Sequence, residues 1–277
     1  MAGRSLASRA AIWGRHAVLI AFAVLSFYPI LVMWLTALRP RNEALTDPFG
    51  MPTSLYLDNV TTAWTRGRFG AYFLNSIIIT VPSVIGVVVL SALAGYGIAR
   101  FRFRGRLLVF YLILLGLTVP FQSVMIPLYY QLLAMGLLGG YLAVILPLIA
   151  FGLPFGVFLM QSFFEDLPNE LHDAGRADGC SELRIFWSIM LPLAKPALST
   201  LVVFQFMRSW NEFIMPLLYI REDLRPVPLG LMFFQGAYNR DIGLIAAGVS
   251  LATIPVIIVY LIFQRQFVRG LTAGAVK

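Results

Sequence analysis

Six apolar stretches divide this chain, at residues 16–38, 72–98, 107–133, 141–164, 196–220 and 242–263, each bounded by charges, glycines or prolines. An α-helix rises about 1.5 Å per residue, so about 20 mostly apolar residues cross a hydrocarbon core about 30 Å thick. Inside that core every backbone N–H and C=O must find a partner within the protein, and helices of this length meet the demand. The expected fold class is therefore all-α, a polytopic membrane protein with six transmembrane helices. Composition agrees with this. Hydrophobic residues make up 59% of the chain and charged residues 12%, against about 45–50% and about 25% in soluble domains.

Arg4, Arg9 and Arg15 precede the first apolar run, a charge pattern shared with signal peptides. The run exceeds a signal core of about 7–15 residues and has no small-residue cleavage site before Arg39, so it reads as an uncleaved first span. The single cysteine, Cys180, excludes an intrachain disulfide framework. The net charge of +8 is gathered in short clusters between apolar runs, which fits membrane orientation and not nucleic acid.

Lysine and arginine in short loops mark the cytoplasmic side. Arg4, Arg9 and Arg15 fall on one side with Arg100, Arg102, Arg104 and Arg106, then Arg176, Arg184 and Lys195, then Arg265, Arg269 and Lys277. The other side holds Arg39, Arg41, Arg66 and Arg68, none around Gly139, and Arg221, Arg225 and Arg240. Both termini are expected in the cytoplasm. Pro82, Pro120, Pro127, Pro147, Pro154, Pro216 and Pro255 lie inside the apolar runs, which predicts kinked helices around a pathway. Trp64, Phe69 and Tyr72 read as an interfacial aromatic belt ahead of a partner surface.

The link after the fourth span, residues 165–198, reads EDLPNELHDAGRADGCSELRIFWSIMLPLAKPAL and gathers six of the thirteen acids. Pro168 suits a first helical turn, with Asn169 and Glu170 behind it where the helix dipole favours polar and negative groups. Gly179 is placed to end that helix, Ser181 to cap a second, and Pro192 to stop the second before Pro196 opens the fifth span. Two short helices at an angle, lying on the membrane surface, are the result. Small residues at Ala174, Gly175 and Ala177 leave the first approachable by another protein's groove.

The run Asp173-Ala174-Gly175, three residues, Gly179, nine residues, then Ile189-Met190-Leu191-Pro192 resembles the EAA signature of ABC importer permeases, EAA-x3-G-x9-I-x-L-P. The flanking LPNEL, DG and IMLPLAKPAL, the later WNEF at Trp210 to Phe213, and the terminal FVRGLTAGAVK are similar to the maltose-type, carbohydrate-uptake class, a binding-protein-dependent inner-membrane component. Asp173, Gly175 and Cys180 depart from the usual residues. Aspartate keeps the charge, while Gly175 costs about 1 kcal/mol of helix propensity relative to alanine.

The resemblance implies a type I ABC importer permease fold. It divides the chain into residues 1–71, a core at 72–265 with a coupling loop at 165–195, and a cytoplasmic tail at 266–277. It also implies a bacterial or archaeal plasma membrane, a second permease subunit, two ATPase subunits that use ATP and Mg, and an extracytoplasmic sugar-binding protein. The surface helix would seat in an ATPase cleft through Glu170, Asp173, Ala174, Gly175, Asp178 and Gly179, with Ile189, Leu191 and Pro192 completing the signature.

Arg208 and Glu212 lie one turn apart in the fifth span, where an unpaired charge costs about 2.5–3.5 kcal/mol. Either they form a structural ion pair, or they line the translocation pathway with Asn211. Trp210 either packs in the interior or stacks on a sugar ring. Gln122, Gln131 and Gln161, with Tyr129 and Tyr130, read as interhelical hydrogen bonding before substrate contact. No G-x4-G-K-[ST] loop occurs, and His16 and His172 stand too far apart in context for a metal pair. Catalysis and a cofactor are thus not expected of this chain. Uptake of glycerol 3-phosphate or a glycerophosphodiester is the neighbouring reading. A stand-alone ion-coupled transporter is the rival from another class, with Glu212 as the one acid well inside a span.

Overall fold

A computed structural model describes residues 6–237 and 241–275. The side chains of residues 1–11, 233, 235–240 and 265–277 lie outside the described residues, and with them the terminal motif and tail. The chain is built of α1 (Leu6–Ala37), α2 (Arg41–Thr46), α3 (Asp58–Thr65), α4 (Phe69–Arg100), α5 (Arg106–Leu115), α6 (Phe121–Ala134) and α7 (Leu142–Asp166). There follow α8 (Asn169–Ala177), α9 (Glu182–Ile185), α10 (Leu191–Leu193), α11 (Lys195–Trp210), α12 (Ile214–Tyr219), α13 (Val227–Ala237) and α14 (Ile242–Ala275). Among the described residues the only extended pairing is a parallel bridge between Gly139 and Ile220.

Four helices are long and apolar enough to cross a membrane: Ile12–Ala37 within α1, then α4, α7 and Ile242–Gln264 within α14. Two bent pairs bring the number to as many as six. The expected third span, 107–133, is broken between α5 and α6 by a 100° turn that ends at Pro120. Proline removes an amide donor and clashes with the preceding turn, and a sharp kink is the usual outcome. The second bent pair joins Glu182–Leu193 to Lys195–Trp210 at 77°, and the expected fifth span, 196–220, is itself interrupted where α11 ends at Trp210 and α12 starts at Ile214. Other prolines, Pro82, Pro147, Pro154 and Pro255 among them, sit inside continuous helices.

Contacts divide the chain into two compact units, Met1–Phe69 with Leu231–Thr253, and Gly70–Gly230 with Ile254–Lys277. In the first unit the Arg39 side chain is 1% exposed, its Nε 3.3 Å from Glu43 Oε1, and it donates through Nη2 to the Glu43 carbonyl at 3.0 Å. Asn59 Nδ2 donates to the carbonyls of Ala37 and Arg39 at 3.0 and 2.8 Å, fixing the turn that leaves α1. Of the expected aromatic belt, Trp64 is exposed and Phe69 is fully buried, edge-on to Phe234 at 5.3 Å. Phe69 is therefore a core residue of this unit.

In the second unit α4, α7 and α11 pack through small residues. A Cβ at Gly95 would stand 2.7 Å from the Gln161 backbone nitrogen. Only glycine permits that approach, and small residues serve the same end in membrane helix pairs. One buried cluster joins Tyr96 of α4, Met160 and Phe164 of α7, and Leu201 of α11 to Ile185, Phe186 and Met190. The last three come from the link that follows α7, so that link is seated in the helical core.

Candidate functional site: the link between α7 and α11

Pro168 precedes α8 as its N-cap with an extended ψ of 136°, one residue outside the helix where sequence had put it in the first turn. At the other end the Cys180 amide donates to Gly175 O and the Gly179 amide to Arg176 O, both at 3.0 Å. This reciprocal pair is a Schellman motif, and it needs a left-handed residue just past the helix. Gly179 supplies it with φ +75°. Ser181 then caps α9, its hydroxyl accepting from the Arg184 amide at 3.4 Å. The expected pair of short capped helices is present.

Pro192 does not end the second helix. The chain stays helical from Glu182 to Leu193, with a π-helical turn at Phe186–Met190, and bends by 77° only on entering α11. The cause is local: Pro192 has no amide for the Ser188 carbonyl and its ring crowds that position. The ladder widens instead, the Leu191 amide donating to Phe186 O. Such single wide turns recur at functional sites.

The two helices meet at a cluster of polar groups centred on Glu182. Its Oε1 accepts from Arg176 Nε at 2.7 Å, and its Oε2 lies 3.0 Å from His172 Nε2 and accepts from the Tyr96 hydroxyl at 3.3 Å. Burial opposes the charge, but the bonds from Arg176 and His172 outweigh it and hold the carboxyl below the usual carboxylate range. Arg100, at the end of α4, donates through Nη2 to the Phe164 and Leu167 carbonyls at 2.6 and 2.7 Å, and through Nη1 to Asn169 Oδ1 at 2.5 Å. Its guanidinium thus caps the C-terminal end of α7, where cations are favoured, and ties it to the start of α8. From sequence, Arg100 and Arg176 read only as cytoplasmic charges, His172 only as half of a metal pair too far apart to form, and Glu182 has no assigned role. The one-turn spacing of His172 and Arg176 was the signal available, since it sets both on one face of α8.

Among the signature residues, Glu170, Asp173, Ala174, Asp178, Gly179 and Pro192 are exposed, Asp173 with 72% of its side chain free. Gly175, Ile189 and Leu191 turn inward. A Cβ on Gly175 would lie 2.9 Å from Ile185 Cγ1 and 3.1 Å from Ile189 Cδ1, so Gly175 lets α8 press against the following helix and offers no surface to a partner.

The residues expected along the pathway behave differently from a pair. Arg208 Nη1 donates to the Phe151 carbonyl at 2.7 Å, while Glu212 Oε1 accepts from the Met215 amide at 3.0 Å at the start of α12. The ion pair that is one of the two alternatives for them is not among the described salt bridges. A backbone carbonyl satisfies the guanidinium because the interruption after Trp210 turns Glu212 toward the next helix. Trp210 is buried, stacked on Phe206 at 5.6 Å and edge-on to Phe73 at 5.5 Å. Asn211 donates to the Met207 carbonyl at 2.8 Å. Gln161 donates to Glu165 at 2.6 Å, whereas Tyr129 and Tyr130 line an apolar pocket of about 200 Å³ with Met125, Ile126 and Tyr219.

Residues 87–273, a stretch that includes both this link and α11, match the family of binding-protein-dependent transport system inner membrane components. The chain belongs to that family. The permease is 35% identical to the diacetylchitobiose uptake system permease protein NgcG of Streptomyces coelicolor, over 95% of this chain and 88% of that one. It is 36% identical to the arabinooligosaccharides transport system permease protein AraQ of Halalkalibacterium halodurans, over 93% and 95% of the two chains. Its fold matches, with a TM-score of 0.80 and 25% identity, a chain from the crystal structure of a bacterial ABC transporter involved in import of the acidic polysaccharide alginate. That match covers 96% of the permease and all of the other chain. The permease is thus the membrane component of an ATP-binding-cassette importer with the type I fold. An ion-coupled transporter working alone is at odds with that membership.

Proposed function

We propose that this permease takes up a sugar or oligosaccharide delivered by an extracytoplasmic binding protein, paired with a second permease and driven by two ATPase subunits that use ATP and Mg. It crosses the bacterial or archaeal plasma membrane six times, with α5–α6 and α11–α12 as the broken crossings and both termini in the cytoplasm. Relatives named for diacetylchitobiose and arabinooligosaccharides, and a solved relative in complex with an alginate-pentasaccharide-bound periplasmic protein, support the substrate class and the binding protein.

The observation that carries the mechanism is the division of α8 into two faces. Glu170, Asp173, Ala174 and Asp178 face out, while His172 and Gly175 face in against a core shared with α4 and α7. An ATPase that grips the outer face moves the inner one with it. Nucleotide-driven closure would then rock α7 and α11 between inward-open and outward-open arrangements, a shift between two packed states and not a local flexing.

The test is Gly179→Leu in proteoliposomes holding the complete importer. A side chain at φ +75° is strained, so the turn after α8 moves and uptake falls while the permease still inserts. Normal uptake together with normal ATPase recruitment would remove the coupling role from this link. Competition between labelled oligosaccharide and glycerol 3-phosphate in the same vesicles decides the substrate class.

A further inference from the structure

A cavity of about 750 Å³ opens between the α4–α5 link and the start of α8. Arg100, Arg102, Arg106 and Arg176 line it, with Asn169 at the first turn of α8. Two carboxylates, Glu165 and Asp173, share the lining, so four guanidinium charges face two negative ones.

The partners of those charges differ. Arg176 is held by Glu182 and Arg100 by backbone carbonyls, while Arg106 reaches Glu165 only at 3.4 Å. Arg102 forms none of the described ion pairs. The first turn of α8 adds unpaired amides and the positive end of its dipole beside Asn169, which favours an anion.

The surroundings narrow the class of anion. Arginine and phenylalanine alternate along Arg100-Phe101-Arg102-Phe103-Arg104, Phe103 is exposed, and α5 continues with Leu107, Leu108, Tyr111 and Leu112 all outward. A basic cavity opening beside a bare apolar helix suits a charged head on an acyl chain.

We propose that this cavity is a phosphate site, occupied by the headgroup phosphate of an acidic phospholipid. The source with the same chemistry is a free phosphate ester. The site is independent of what the permease carries, and its test uses the full chain without partners.

Phosphatidylglycerol and phosphatidylcholine adducts of the purified permease are counted by native mass spectrometry, for the wild type, Arg102→Gln and Arg104→Gln. Arg104 belongs to the same link and carries the same charge but does not line the cavity. Phosphatidylglycerol is preferred over phosphatidylcholine, Arg102→Gln weakens it about fivefold, and Arg104→Gln leaves it unchanged. Arg106→Gln repeats the loss if the first variant is poorly produced. Displacement by millimolar inorganic phosphate or glycerol 3-phosphate, with no lipid preference, identifies the free ester as occupant and overturns the lipid assignment. Equal weakening by the Arg102 and Arg104 variants leaves only surface potential and overturns the site, as does an Arg102 variant with lipid binding intact.

Discussion

His172 and Glu182 stand ten residues apart on different helices, and their Nε2 and Oε2 atoms meet at 3.0 Å. The contact closes the angle between α8 and α9, and Arg176 and Tyr96 hold the same carboxylate from two further directions. These bonds add to the core contacts of Ile185, Phe186 and Met190 in fixing the link, because α8 has only nine residues and isolated helices below about 12–15 residues are marginal.

His172→Phe keeps an aromatic ring beside Tyr96 but removes the bond to Glu182, at an expected cost of about 1–3 kcal/mol. A double-mutant cycle with Glu182→Gln, read by denaturant unfolding in mild detergent, should return a coupling energy of at least about 0.5 kcal/mol. Additive effects would mean that the pair does not hold the helices together.

Gly175→Ala restores the residue usual in the signature and gains about 1 kcal/mol of helix propensity. The new methyl meets Ile185 at 2.9 Å, and Ile185 is fully buried in the shared core, so it has no room to retreat. Overpacking costs about 1–3 kcal/mol, and the variant is expected to be less stable than the wild type. A higher unfolding midpoint would show that the two helices are not pressed together at this point.

Exchanging the charges of Arg208 and Glu212 separates their roles. Each has its own backbone partner, Phe151 O for the arginine and the Met215 amide for the glutamate. The double variant Arg208→Glu with Glu212→Arg should be no more stable than either single variant, because neither new side chain serves the partner left behind. Recovery in the double variant would reinstate a direct ion pair.

Glu43 links pH to the first loop. Hydrogen bonding from the Thr53 amide, followed by the Thr53 hydroxyl and Arg39, outweighs desolvation and holds its pKa below the ordinary 4.5. A depressed carboxylate contributes fully above its unfolded pKa, and the contribution disappears as pH falls through the folded value. The Thr53 amide should therefore lose hydrogen-exchange protection, relative to its intrinsic rate, on acidification below that value. Glu43→Gln should remove the pH dependence, and an acid-insensitive amide in the wild type would contradict the bond.

The apolar runs were legible because a hydrocarbon core imposes one length on every crossing. Gly179 and Ser181 were legible too, since each meets a local backbone need that few other residues meet. The break at Pro120 was not, because Pro82 and Pro255 lie in runs of the same character and stay helical; neighbouring packing, not local sequence, decides where a proline turns the chain. The inward face of α8 was hidden for a related reason. Nothing local in Gly175 distinguishes an approachable backbone from one already pressed against Ile185, and Glu182 gains its partners only after α9 folds back toward α8.

The wide turn at Phe186–Met190 sets Ile185, Phe186 and Met190 into the same cluster as Tyr96, Phe164 and Leu201. With its root clamped by interior aromatic and aliphatic groups, the exposed hairpin behaves as a crank with little compliance. Under the coupling role proposed for this link, a push of a few ångströms at Asp173 would be delivered to α4, α7 and α11 as torque, without being absorbed on the way.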